Sequence, residues 1–212
     1  MYLPPHFKEE RLPVLHEAIR HSRVASLITM TGAGMLASHV PMLLDSEPSP
    51  YGTLRGHVAR ANMQWRDSVG EPDGLAIFLG PEAYISPAWY PSKREDGKVV
   101  PTWNYVAIHA YGPVEFFEDA ERLLKVVTQL TETHEGRRAD PRAVSDAPDD
   151  YIRARLKGIV GFEMPIRRLE GKWKMSQNQS AENRLGVVDG LRREGAAAEL
   201  AIAEAMTKEG RD

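Results

Sequence analysis

The chain has 212 residues, 42% of them hydrophobic and 27% charged, with a formal net charge of −3. This is the composition of one soluble globular domain with a small appendage, long enough to bury a core without covalent staples. The absence of cysteine excludes disulfides, thiolate metal centres and cysteine nucleophiles, and the mild acidity speaks against a free-standing duplex-binding module.

The opening MYLPPHFKEE has neither a basic n-region nor an apolar h-region, so no signal peptide is expected. No apolar run reaches the length of a membrane span, and a cytoplasmic location is the expectation. Phe7 to Ser22 reads as helix, with Leu12, Leu15, His16 and Ile19 on one side. Two strand-like runs follow, Val24–Met30 and Met35–Leu44, separated by the hairpin signal Thr31-Gly32-Ala33-Gly34. Pro41 cannot donate to a ladder and marks an edge or a bulge. A Ser/Pro/Gly-rich loop over Asp45–Gly52 leads into LRGHVARAN, a half-buried strand with Leu54, Gly56 and Val58 on one side and a basic and amide exit at Arg60 and Asn62.

Ala61–Ser68 is predicted as a short helical segment. Asp73-Gly74 turns into a strand over Leu75–Leu79, continued by Ala83–Ile85. Ser86–Pro101 is predicted as loop. Thr102–Phe117 is a long strand bent at Gly112-Pro113. Two helices follow: Glu118–Glu135, started by Asp119 and stopped by Gly136, and Ser145–Lys157. Ile159–Met164 returns to strand, and Arg168–Met175 reads as a hairpin about Glu170-Gly171. From Ser180 the chain is helical, with a break near Gly190 or Gly195. Because the strands come in consecutive pairs and do not alternate singly with helices, the pattern favours an antiparallel barrel decorated by helices over a doubly wound parallel sheet.

GxGxxG, GxxxxGK[ST] and GxSxG are absent, which removes the main support for a Rossmann crevice, a P-loop or an α/β-hydrolase. The chain has 7 histidines. His39, His57 and His109 lie on predicted strands and could converge as a metal triad, yet no pair has the HExxH spacing, a strand histidine is more often an ordinary hydrogen-bonded residue, and no metal is expected. Three aromatic-polar clusters stand at predicted strand ends: Tyr84–Lys93, Val100–Tyr105 and Lys172–Asn178. Flat rings with nearby amides, hydroxyls and lysines suit a planar ligand with a polar edge; the same residues also suit a dimer interface.

The blocks LRGHVARANMQW, YISPAWYPSK, VPTWNYVAIHAYG and RRLEGKWKMSQN, followed by Glu182-Asn183-Arg184, resemble the PaiB-type FMN-binding transcriptional regulators, relatives of the flavin-reductase and pyridoxamine-phosphate-oxidase split barrels. The resemblance runs from the N-terminus to about Gly190. It implies a mainly β, α+β fold: a six-stranded antiparallel split β-barrel with flanking helices. On this reading residues 1–190 form the FMN-binding domain and residues 191–212 a helical tail. It also implies a homodimer, FMN as cofactor, and negative regulation of protease and sporulation genes.

Carried over by position, Arg60 is the phosphate candidate, flanked by His57, Val58, Ala59 and Asn62. Ser38 and His39 come from the preceding strand, and Trp103 and Asn104 are candidates to touch the isoalloxazine. Lys172, Ser176, Gln177 and Asn178 are candidates from the other subunit. The oxidases' Arg/Lys pair at the end of the second strand is missing, since Val40-Pro41-Met42-Leu43 stands there. Their Ser-Arg-Lys phosphate loop survives only as Ala59-Arg60-Ala61. No acid-base pair identifies a substrate. The alternatives are a flavin-dependent oxidoreductase, with His57 or His109 as proton donor, a haem-binding split barrel, and a regulator acting on DNA or on a protein partner.

Overall fold

The computed structural model describes residues 1–22, 24–68 and 73–208. In chain order the elements are β1 (Lys8–Glu9), α1 (Leu12–His21), β2 (Ala25–Thr31), β3 (Gly34–Val40), β4 (Met42–Asp45), β5 (Thr53–Ala59), α2 (Gln64–Asp67) and β6 (Gly74–Ile85). There follow α3 (Lys93–Asp96), β7 (Thr102–Gly112), β8 (Glu115–Phe117), α4 (Ala120–Glu135), α5 (Asp149–Leu156), β9 (Ile159–Pro165), β10 (Arg168–Lys174), α6 (Ala181–Glu194) and α7 (Ala197–Lys208). Among the described residues the strands form two sheets, ordered β1-β10-β7-β6-β2-β3 and β4-β5-β9-β8. The fold is therefore α+β, as the strand pairing in the sequence predicts. The chain divides into two compact units, one of Met1–Leu15, Leu79–Ile108 and Glu170–Asp212, the other of His16–Phe78 and His109–Leu169.

In the second unit β2 and β3 form the expected hairpin, antiparallel from Ala25↔Val40 to Thr31↔Gly34. The run Met35–Leu44, read as one strand, is two. Pro41 ends β3, and β4 starts one residue later in the other sheet, paired with β5. Thr102–Phe117 divides in the same way: β7 ends at Gly112, and β8 pairs antiparallel with β9 in the four-stranded sheet. β5 lies between β4 and β9, with Leu54, Gly56 and Val58 buried on one face as their alternation predicts. The opposite face meets α4, whose Leu123, Val126 and Leu130 pack with Phe117, Leu156, Leu43 and Ile159. Asp119 caps α4 by accepting from the Arg122 amide at 2.8 Å. α5 begins four residues after the predicted Ser145, because Val144–Asp146 closes a separate 3-10 turn and Pro148 stands at the N-cap.

In the first unit Pro5–Phe7 forms a 3-10 turn and Lys8–Glu9 a short strand, so the N-terminal helix starts at Leu12, five residues later than predicted. The predicted hairpin over Arg168–Met175 is one strand, β10, pairing antiparallel with β1 at Lys8↔Lys172 and Glu9↔Gly171. Gly171 serves close approach, not a turn: a Cβ there would stand 2.2 Å from Leu15 Cδ2 and 2.9 Å from the Glu9 carbonyl oxygen. β6 runs unbroken through the interval left between Leu79 and Ala83. The predicted loop Ser86–Pro101 contains a 3-10 turn at Pro87–Trp89 and the short α3. α6 is capped by Ser180 and ends at Gly195, at φ 73°, while Gly190 stays helical. α7 buries Ile202, Ala203 and Met206. The last four residues of the predicted tail, 209–212, lie outside the described residues.

Candidate functional site

The candidates of the second unit cluster at the exit of β5. The register Leu27↔Ser38 and Ser26↔His39 puts Ser38 and His39 on opposite faces of the sheet. Ser38 Oγ accepts from Asn62 Nδ2 at 2.7 Å, and Asn62 Oδ1 accepts from the Gln64 amide at 3.0 Å. Gln64 is fully buried and donates to the Leu27 carbonyl and to Thr29 Oγ1, both at 3.1 Å. Asn62 is thereby held against β3, while the Gln64 Oε1 acceptor is buried with no hydrogen-bond partner among the described residues. His39 is exposed and shares a 2.9 Å hydrogen bond with Ser26 Oγ.

Arg60 donates through Nε to the Lys157 carbonyl at 2.5 Å and through Nη1 to Glu118. Its guanidinium lies 5.9 Å from the centroid of the Trp65 ring, and Trp65 Nε1 donates back to the Arg60 carbonyl at 3.0 Å. Val58 is buried in the core and Ala59 is exposed. His57, paired with Gly161, lies on the face that packs beneath α4. Its Nδ1 is buried with no hydrogen-bond partner among the described residues, and burial pushes its pKa below the ordinary 6.5. The structure thus brings Ser38 and Asn62 together, gives Arg60 a carboxylate partner, and leaves His39 and His57 apart from both. His109 lies 3.3 Å from the Tyr111 hydroxyl. Among the described residues no group of three or more His, Asp or Glu could hold a metal ion.

In the first unit β7 sends Trp103 and Asn104 to opposite faces. Trp103 is 52% exposed and meets Tyr84 edge-on at 5.9 Å, leaving a flat aromatic surface open. Asn104 is fully buried, exchanges two 3.1 Å hydrogen bonds with Ser176 and reaches Met206 Sδ at 3.5 Å. Ser176 has φ 59°, a left-handed conformation uncommon for a residue with a side chain, and also hydrogen-bonds buried Tyr90. Burial raises the Tyr90 pKa, partly offset by that bond. Gln177 closes the turn after β10, donating to the Trp173 carbonyl at 2.6 Å and accepting from the Met175 amide at 2.7 Å.

Lys172 is 7% exposed; its ammonium donates to the Tyr2 carbonyl at 3.1 Å and lies 5.3 Å from the Tyr105 ring centroid. Lys174 donates to the Trp103 carbonyl at 2.5 Å and to Thr102 Oγ1. A cavity of about 170 Å³ is lined by Asn104, Ser176, Asn178, Lys174, Thr102 and Tyr90, among others. Lys174, Thr102 and Tyr90 are cavity residues that fall within the three aromatic-polar clusters of the sequence but were not among the residues assigned to the cofactor. The signal was available for Lys174, which shares a face of β10 with Lys172 at the two-residue period of a strand.

These groups fit FMN. The described partners of Lys172 and Lys174 are neutral carbonyl, hydroxyl and ring groups, as an anionic phosphate requires of its donors, and Trp103 offers an open ring face. The cavity itself is below the ~300 Å³ at which pockets for drug-sized ligands begin, so it holds a part of such a molecule or a smaller one.

An antiparallel α+β split barrel with such donors defines a class of flavin-binding proteins. Residues 1–168 match the family described as "Putative FMN-binding domain", and the chain belongs to that family. It is 33% identical to an uncharacterized protein of Aspergillus fumigatus, over 99% of this chain and 98% of that one. It is 32% identical to the protease synthase and sporulation protein PAI 2 of Bacillus subtilis, over 92% of this chain and 90% of that one. A conserved hypothetical protein of Mycobacterium tuberculosis, Rv2991, shares the fold with a TM-score of 0.58 at 12% identity, over 84% of this chain and 92% of that one. The chain is a PaiB-family flavoprotein whose cofactor is FMN. Among the described residues no helix is long and apolar enough to cross a membrane.

Proposed function

We propose that the chain is a cytoplasmic homodimeric, FMN-dependent negative regulator of gene expression. One observation carries this reading: similarity at 32% identity to PAI 2, a protein named for protease synthesis and sporulation, extends over 92% of the chain. FMN, when bound, supplies redox chemistry and lets a regulator respond to the electron supply of the cell. Arg60 is the residue for its phosphate: a guanidinium can grip phosphate bidentately, and the Glu118 partner is the carboxylate it would release. Ser38 and Asn62, already hydrogen-bonded to each other, add a hydroxyl and an amide.

Two measurements test the reading. Titration of the flavin-free protein with FMN, followed by flavin fluorescence, should saturate at one FMN per subunit. Arg60→Ala should weaken binding about 10-fold or more, the cost of losing a charge-assisted contact. Expression in a Bacillus subtilis strain lacking PAI 2 should return extracellular protease and sporulation to the levels of the parent strain. If those levels do not move while FMN still binds, the regulatory reading is wrong and an FMN-dependent redox enzyme takes its place.

A further inference from the structure

Along β10, at Lys172 and at the cavity residue Lys174, the fold gathers positive charge that has no carboxylate partner among the described residues. Lys172 is buried and Lys174 half-buried, yet among the described residues their partners are the Tyr2 and Trp103 carbonyls, the Thr102 hydroxyl and the rings of Tyr2 and Tyr105. A cation withdrawn from water without a carboxylate is costly, and a pair of them repels. Burial, and then the neighbouring Lys172, hold the Lys174 ammonium below its ordinary pKa. Donors around it remain unused. An ammonium has three hydrogens, and Lys174 uses two. Thr102 accepts from Lys174 and keeps its own proton to give. The Asn178 side chain, on the cavity rim, makes no hydrogen bond among the described residues. The floor beneath is rigid, because Asn104, Ser176 and Tyr90 satisfy one another and Ser176 is locked at φ 59°. Lys98 adds a second cation to the lining, and the described lining residues include no carboxylate.

The geometry points to a binding site for a phosphate group in this cavity, held by Lys174, Lys98, Thr102 and Asn178 over a floor of Asn104 and Ser176. The volume of about 170 Å³ corresponds to roughly five or six waters at ~30 Å³ each, which suits a tetrahedral oxyanion with its ester oxygen and excludes a flavin ring system. Donors converging from a strand end, a turn and a loop also suit a tetrahedral ligand better than a planar one. The phosphate can come from two sources: inorganic phosphate or a small phosphate ester on one side, and on the other the monoester of FMN, which would then sit here and not at Arg60.

The test is calorimetric titration of the full-length protein with inorganic phosphate at constant ionic strength in chloride buffer, once flavin-free and once loaded with FMN. Saturable binding to both forms supports the site with a free phosphate as ligand. Binding to the flavin-free form alone supports it with the FMN phosphate as occupant. Lys174→Met should weaken phosphate binding about 10- to 100-fold, and Asn178→Ala, at an exposed position that cannot unfold the chain, about 3- to 10-fold. Lys174→Met should also melt at or above the wild-type temperature without phosphate and lose the rise in melting temperature that phosphate gives the wild type. No saturable phosphate binding, or equal binding by wild type and both variants, would overturn the proposal. So would a Lys174→Met protein that melts lower yet binds phosphate normally, since the lysine would then be purely structural. FMN binding, read separately by fluorescence, separates the two sources: Lys174→Met leaves it unchanged where the ligand is a free phosphate and weakens it where the FMN phosphate is the occupant.

Discussion

At the scale of single residues, strand alternation decides more than residue type. Ser38 and His39 are neighbours in sequence, but the β2–β3 register sends them to opposite faces, so only Ser38 joins Asn62. The same rule separates Trp103 from Asn104 and unites Lys172 with Lys174. The period was legible in the sequence. Which face each residue meets was not, because that depends on long-range pairing. His57 shows the consequence: its histidine character marks it as a cofactor donor, yet β5 turns it toward α4, where its Nδ1 has no partner. Its folded pKa is lowered from 6.5 by burial. Above that value both folded and unfolded chains carry it neutral, and it contributes no pH dependence. As the pH falls below 6.5 the unfolded chain takes up a proton that the folded chain refuses, so stability drops until the folded histidine also protonates. Thermal melts between pH 8 and pH 5 should show this loss, and His57→Leu should remove much of it. At pH 8 the variant should stay within about 1 kcal/mol of wild type, because an unpartnered imidazole gives up no hydrogen bond. A slope unchanged in the variant would assign the acid sensitivity elsewhere.

At the scale of elements, α4 was read closely in the sequence, whereas α1 and α5 begin five and four residues later than predicted and the long strands broken at Pro41 and Gly112 were read as continuous. The Asp119 start signal and the Gly136 stop defined α4 to within two residues at its N-terminus and to the residue at its C-terminus, although of the apolar stripe Leu123, Leu124, Val127 and Leu130 read from the sequence Leu124 is exposed and Val126 takes its place in the core. Helix signals are local, so they survive in sequence. Breaks such as Pro41 and Gly112, where a strand leaves one sheet for another, read as bulges because sheet membership is not local. Gly171 misled for a related reason, since a glycine that admits Leu15 and the Glu9 carbonyl looks in sequence like one that makes a turn. α4 closes the core above β5, and two substitutions measure how. Asp119→Ala removes the bond to the Arg122 amide and should cost about 1 kcal/mol. Leu123→Ala, at a side chain 1% exposed, should cost about 2–5 kcal/mol through lost burial and the cavity left behind. Urea denaturation of both variants checks the ranking. A larger loss at Asp119 than at Leu123 would mean that capping, and not packing, holds α4 on the sheet.

At the scale of the whole molecule, charge bears on how a regulator of this family would act. The net charge is −3, and arginines that could meet a phosphate backbone are engaged with carboxylates instead: Arg55 with Asp45 and Glu163, Arg60 with Glu118, Arg122 with Glu115 and Glu163, Arg167 with Asp73. Duplex binding draws its affinity mainly from cations that neutralise phosphates and release counterions, and a surface whose cations are paired with carboxylates gains little from that exchange. Arg153, Arg155 and Lys157 near α5 form a short basic run, and Arg155 already lies over the Tyr151 ring at 4.7 Å. On the proposed regulatory reading, the chain is therefore expected to act through a protein partner or through the redox state of FMN, and not through direct contact with DNA. In a mobility-shift titration the FMN-loaded protein should leave duplex DNA unretarded at ~150 mM salt and give at most a weak, sequence-independent shift at ~50 mM. A retarded complex that persists at the higher salt and resists competition by unrelated duplex would overturn this expectation and direct attention to cations outside these pairs, such as Arg94, Arg192 and Arg193, which line one surface pocket together.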